Sequence, residues 1–295
     1  MNQVKGTLQL LQSHSIHAHK GLCIFFRNES SFVPKKVLIV AKLSRYYFER
    51  LREPELNETQ LKLKLMERGS DYDAMTASHF ATKAVEDEVI QILQKMNVKC
   101  KIIDRTTLDQ SHFTWADLVL PIGGDGTFLL ASNLIFDNKK PIMGINSYPK
   151  KSEGYLLLPA KYTRNIAEIF EMLKAGHHSI LMRRRIRTTL KGEGIWKAPF
   201  HMHEKGRIAG GEKFYVNEKF EGNPDELPRE RCLPWLALNE RIYPRGFCKK
   251  ITVRSECFDA GLVVDGGIAV PFNFGTIAEI ETFPEDSLRT ITLPD

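Results

Sequence analysis

Residues 121–130 read Pro-Ile-Gly-Gly-Asp-Gly-Thr-Phe-Leu-Leu, three glycines around one acid, and the flanks of this turn restrict the fold more than any other stretch. An Asp-Gly pair alone is among the commonest turn signals. Here an unbroken apolar run over 117–122 precedes it, as in a buried strand, and 127–136 continues with helical character. Further short apolar runs over 35–42, 98–103 and 141–146 read as strands. Between them, Leu61, Leu65 and Met66 mark one helical segment after Pro54 and Asn57. Ala81, Val85, Val89, Ile92 and Met96 mark a stronger helix over 78–96, with Asn97 as its stop. A last amphipathic helix runs through Ile166, Ile169, Phe170 and Leu173, expected to be capped by Thr163 and closed by Gly176. Strands alternating with helices predict a parallel sheet with helices on its faces.

The texture changes after residue 176. The segment 179–192 alternates like a strand, and 260–272 carries apolar runs on both sides of Asp265-Gly266-Gly267, a hairpin signal. Between them, 192–234 is polar, bears Gly and Pro, and reads as a long surface insertion. The expected organisation is an α/β domain over 34–176 carrying the glycine turn, and a reduced β-rich domain over 177–295.

Composition narrows the partners. No apolar run approaches the roughly 20 residues that span a bilayer, so membrane insertion is not expected. The net charge is +6, but Lys5, Lys20 and Arg27 supply half of it within residues 1–28, which lack Asp and Glu. The remainder is too weakly basic to argue for nucleic acid. The same stretch is rich in Ser, Gln, Leu and His, the composition of an organelle transit peptide, so 1–33 reads as a mitochondrial presequence, an ordinary tail being the alternative. The five cysteines form no Cys-x-x-Cys pair, and His201 and His203 find no third ligand at a metal-like spacing, so no protein metal site is expected.

At the glycine turn the chemistry has two readings. Backbone amides at a helix start suit an anionic phosphate, and glycine lets that phosphate approach closely. No Gly-x-x-x-x-Gly-Lys-Ser/Thr occurs, and Leu129 stands where a dinucleotide fingerprint needs its third glycine. An acid between glycines repels phosphate unless it has another task, such as taking the proton of an attacking hydroxyl. The alternative is that Asp125 is a helix cap.

Gly123-Gly124-Asp125-Gly126-Thr127 resembles the Gly-Gly-Asp-Gly motif shared by NAD kinases, phosphofructokinases and diacylglycerol-type lipid kinases. The stretch 144–159, Gly-Ile-Asn then Gly-Tyr-Leu, and Ala-Leu-Asn-Glu at 237–240 resemble NAD kinases in particular. Ser-Glu-Gly at 152–154, the arginine-rich 183–187 and the final segment from 253 are most similar to the mitochondrial type. The resemblance implies ATP-dependent phosphorylation of the adenosine-ribose 2′-hydroxyl of NAD, giving NADP, with Mg²⁺ accompanying ATP. It implies that Asp125 orients and deprotonates that hydroxyl. Gly123, Gly124, Gly126 and Thr127 line the phosphates, Asn146 shapes the pocket, and Asn239 and Glu240 bind the NAD adenosine. A homodimer in the mitochondrial matrix is the implied setting. The arginines of 183–187 are expected to form a solvated strand face.

The family's second small-residue loop, of Thr-Gly-Thr-Gly-Ser type, has no match after Glu240. The chain therefore reads as an internally shortened form, and a catalytically weak or inactive nucleotide-binding, dimerising variant is the second expectation. A diacylglycerol-type lipid kinase is the third.

Overall fold

The computed structural model describes residues 31–192, 200–201, 249–257, 260–264 and 268–295. Residues 1–30 of the expected presequence, Asn239-Glu240, most of the 192–234 insertion and the 265–267 turn lie outside them.

Four parallel strands form the centre: β1 (Lys36–Ala41), β2 (Lys99–Ile103), β3 (Leu118–Gly123) and β4 (Ile145–Asn146), in the order β2-β1-β3-β4. Register places Val37 between Cys100 and Leu118, and Ile122 opposite Ile145. β3 is buried along its whole length and β1 everywhere but Lys36, which is why both read as unbroken apolar runs. Edge strand β2 keeps Lys99 and Lys101 exposed, charges that discourage a further strand from adding there.

Alternate residues feed two cores, as the two-residue period of a strand requires. Val37, Ile39, Leu118, Leu120 and Ile122 pack against α3 (Tyr72–Lys95) and α6 (Ile166–Ala175). Leu38, Val40 and Val119 face α4 (Gln110–Trp115) and α5 (Asp125–Ser132) through Phe113, Phe128 and Ala131. Two further helices, α1 (Arg45–Arg52) and α2 (Glu58–Glu67), pack beside α3; α2 opens with a capping box between Asn57 and Gln60.

The rest of the described chain is β-rich, as expected. β5 (Ser179–Arg183) pairs antiparallel with β12 (Leu288–Thr292). Ile142 bridges both Val119 and Thr290, so the central sheet continues through it to β12 and β5. Ile180, Ile291 and Leu293 complete the α3/α6 core, and the Tyr162 hydroxyl donates to the Pro294 carbonyl at 2.8 Å. β6 (Ile186–Lys191), β8 (Lys250–Arg254) and β11 (Ile277–Thr282) form one antiparallel sheet in the order β6-β11-β8. β7 (Phe200–His201), β9 (Gly261–Val264) and β10 (Ile268–Pro271) form another, in which β9 and β10 make the expected hairpin. No helix among the described residues is long and apolar enough to cross a membrane.

Several local expectations change. Helix α3 begins at Tyr72 rather than 78, because Asp71 caps it by accepting from the Ala74 amide, although 72–77 show little apolar period. Asn97 does end it, at φ +55°. Thr163 caps nothing: it lies in a 3-10 turn (Ala160–Arg164) and donates its hydroxyl to the Asn146 carbonyl at 2.7 Å, so α6 starts after Asn165. Gly176 closes α6 in the left-handed conformation, as expected. The strand expected over 179–192 is two strands, broken at 184–185.

The arginines there form a solvated face only in part: Arg184 and Arg187 are exposed, whereas Arg183 and Arg185 are half-buried. Arg185 donates to the Asp286 carbonyl at 2.5 Å and to the Ser132 and Ile135 carbonyls at the end of α5. Arg187 pairs with both carboxylate oxygens of Asp286 at 2.8 Å. Replacing Arg185 by Met removes all three of its hydrogen bonds and leaves the α5 carbonyls without their donor. An expected loss of about 2–3 kcal/mol will appear as a lower urea midpoint with an unchanged m-value.

Candidate active site

β3 runs through the middle of the sheet, so its carboxyl end opens where α/β folds place ligands. The chain turns into α5 within one residue, Gly124, which is the N-cap and makes no side-chain cap bond. At Gly123 a β-carbon would lie 2.8 Å from Thr127 Cβ and 3.0 Å from Lys42 Cβ, so the helix can close on the strand only if this residue is glycine. Gly123 and Thr127 are buried beneath the turn, Gly124 and Asp125 are half-buried, and Gly126 is exposed. A β-carbon at Gly126 would meet nothing within 4 Å. The amides of Asp125 and Gly126, first in the helix, have no intrahelical acceptor.

Asp125 is not the cap that composition allowed. It is the first residue of α5, where the helix dipole favours a carboxylate. Its two oxygens accept from the Tyr155 amide at 3.1 Å and the Leu156 amide at 2.9 Å. The acid is thus held by the loop that follows β4.

Asn146 organises that loop. It is buried, donates from Nδ2 to the Ser152 carbonyl at 2.9 Å and accepts from the Tyr148 amide at 3.1 Å. Gly154, at φ +69°, passes so close that a β-carbon would lie 2.6 Å from Asn146 Nδ2. Left-handed backbone and close approach both demand glycine there. The loop's first residue, Ser147, shares a buried hydroxyl contact of 2.9 Å with Thr82 of α3. Ser152 lies over Gly124, its Oγ 3.0 Å from where a β-carbon would be. Asn146 therefore acts on the site through the backbone it holds, and both its polar side-chain atoms are used in doing so.

Two half-buried cations, Lys42 and Arg183, take a setting that the sequence reading did not give them. Lys42 follows β1 and lies against Gly123; burial pushes its pKa down. Arg183 ends β5, and its pKa is lowered by burial and partly restored by the charge of Asp125. Nothing in their local sequence marks them, because a single Lys after a strand and an Arg in a basic run are ordinary surface residues. Asn239 and Glu240 lie outside the described residues. Among the described residues no group of three or more His, Cys, Asp or Glu is placed to hold a metal ion.

The two outer glycines separate packing from ligand approach. Gly123→Ala is expected to cost about 1–3 kcal/mol by overpacking against Thr127. Gly126→Ala is expected to leave stability equal or to raise it by up to about 1 kcal/mol, since alanine favours helix. If a phosphate approaches the turn, Gly126→Ala will nonetheless weaken nucleotide binding; calorimetric titration of both variants, with thermal melts, checks this.

Residues 44–155, which hold the turn and the acid, match the ATP-NAD kinase N-terminal domain. The chain is 37% identical over 216 residues to mitochondrial NAD kinase 2 of Rattus norvegicus, covering 72% of this chain and 51% of that protein. It is 37% identical over 218 residues to the Homo sapiens protein of the same name, covering 72% and 49%. For Xenopus tropicalis the identity is 32% over 226 residues, covering 76% and 53%. A solved yeast NADH kinase complexed with NADH aligns over 92% of this chain and 89% of that one, at 11% identity and a TM-score of 0.42. The chain spans about half the length of the curated relatives it matches. With the glycine turn inside the matched domain and a third of the aligned residues identical to mitochondrial NAD kinases, the chain is similar to the NAD kinase family and, within it, to the mitochondrial type.

Proposed function

We propose that this chain transfers the γ-phosphoryl group of ATP to the adenosine-ribose 2′-hydroxyl of NAD, giving NADP and ADP, with Asp125 as general base. The observation that carries the reading is the carboxylate of Asp125, fixed by two amides at the open end of β3 beside helix amides that have no intrahelical acceptor. The bond from the 2′-oxygen to the γ-phosphorus forms, the β–γ bridging P–O bond breaks, and the hydroxyl proton passes to a carboxylate oxygen. Such transfer depends on positioning and on charge already in place, not on covalent chemistry by the protein. A carboxylate whose oxygens already take one amide each keeps lone pairs for that proton while its orientation is fixed.

Gly124 and Gly126 present the backbone to the phosphates, with Gly123 and Thr127 supporting them from beneath. Asn146 shapes the pocket by holding the loop, and Asn239 and Glu240 receive the NAD adenosine. Mg²⁺ held by the phosphates of ATP would neutralise the charge that develops there. Family similarity supports a homodimer in the mitochondrial matrix, with 1–33 as the transit peptide. A reporter carrying 1–33 is expected to enter mitochondria, and a cytosolic reporter would remove the localisation.

A second reading, nucleotide binding with little turnover, rests on the small-residue loop that finds no match after Glu240. NADP formation by the purified chain with NAD, ATP and Mg²⁺ decides between the two. A diacylglycerol substrate in the same assay tests the lipid-kinase reading.

Asp125→Asn tests the base. Asparagine offers one acceptor oxygen where two amides need acceptors, so about 1–2 kcal/mol of stability is expected to be lost. NADP formation is expected to fall by at least about a hundredfold while ATP binding persists. If turnover falls only as far as the folded fraction does, Asp125 serves as a loop anchor and the base assignment is wrong.

A further inference from the structure

The end of the central sheet opposite the glycine turn holds a cavity of about 260 Å³. Three of its residues fix its place. Asp117 directly precedes β3, and Pro141 and Arg289 stand level with Leu118, because Ile142 bridges Val119 and Thr290 in parallel. All three lie at the amino edge, and the length of β3 puts that edge roughly 20 Å from Gly123 at about 3.3 Å per residue. The kinase reading gives this end of the sheet no task.

The lining mixes apolar wall with charge. Ile180 and Ile291, opposite one another in β5 and β12, are buried. The Phe32 ring is tilted against the buried His178 imidazole, 6.2 Å between centroids, and its amide donates to the Leu173 carbonyl near the end of α6 at 2.9 Å. Asp117 is engaged by the start of β1: its two oxygens accept from the Lys35 and Lys36 amides at 2.9 and 3.0 Å. Arg289 is half-buried and Lys139 exposed, and among the described residues Lys139 forms no ion pair within 4.0 Å. A guanidinium carries five donors in a planar fork, so partners within the fold leave Arg289 able to take an anion as well.

Small-molecule sites are mostly apolar concavities with a few polar groups that orient the ligand. The volume falls just under the roughly 300–1,000 Å³ of most such sites, so the occupant is small. We propose that this cavity binds a small organic carboxylate with an apolar body the size of a single ring. The carboxylate meets Arg289 and Lys139, and the body lies against Phe32, Ile180 and Ile291. A planar carboxylate matches the arginine fork. A phosphate dianion suits the lining less, since its greater charge faces Asp117 and it leaves the apolar wall uncovered.

The test uses the full chain with phenylacetate as probe, phenylacetamide as its neutral counterpart and inorganic phosphate as the bare anion. Ligand-observed NMR titrations and thermal melts are the readouts. Phenylacetate is expected to bind with a dissociation constant of about a millimolar and to raise the melting temperature. It is expected to stay bound when MgATP is added, because the two sites lie at opposite ends of the sheet. Phenylacetamide, which lacks the charge, and phosphate, which lacks the body, are each expected to bind about tenfold more weakly. Arg289→Met is expected to weaken phenylacetate about tenfold. Lys139→Glu, at an exposed position, is expected to weaken it about threefold or more at an unchanged melting temperature.

Phenylacetate that does not bind, that binds no better than phenylacetamide or phosphate, or that MgATP displaces overturns the proposal. An affinity within about twofold of the parent overturns it too, read in a folded Arg289→Met or, where that variant does not fold, in Lys139→Glu. NADP formation enters none of these readouts, so this site and the kinase reading stand or fall separately.

Discussion

The burial of β1 and β3 on both faces is the constraint from which the rest follows. Helices α3 and α6 cover one side of the sheet, α4 and α5 the other, and neighbouring strands cover both edges of these two. A strand so enclosed can carry no polar side chain along its length without leaving it unsatisfied. All its chemistry must sit at its ends. Because the strands are parallel, their carboxyl ends share one edge, and Lys42, Gly123 and Asn146 arrive there together.

What converts that edge into a site is a chain of hydrogen bonds running through one loop. The Asn146 side chain fixes Tyr148 and Ser152, Gly154 passes over it, and the next two amides reach Asp125. The acid is therefore oriented by backbone, not by another side chain. Backbone donors cannot titrate and lose little entropy on forming the bond, so the carboxylate stays in place as the local charge changes. The Ser147–Thr82 contact carries the same network into α3, tying loop, helix and strand end into one unit.

The final strand braces this edge from below. β12 returns to the sheet through Ile142, and its flank supplies the Asp286 carbonyl that Arg185 uses while gripping the end of α5. The helix that begins with Asp125 is thus anchored at both ends, by the loop at its start and by Arg185 at its finish. A short helix of eight residues would otherwise be marginal, since so few turns gain little from their own hydrogen bonds.

The sequence by itself determined the parallel α/β architecture and the position of the glycine turn. Both are local records: continuous apolar runs mark strands buried on two faces, and a steric demand for glycine is written at the residue that bears it. It misplaced Thr163, the start of α3 and the break at 184–185, because caps and turns there depend on partners such as the Asn146 carbonyl that no periodicity announces. Only the tertiary structure decided that the Tyr155 and Leu156 amides reach Asp125 and that Lys42 lies against Gly123. The physical reason is that a side chain's charge and hydrogen-bonding capacity are fixed by its identity, whereas its partners are fixed by which distant segments the buried core brings to the same edge.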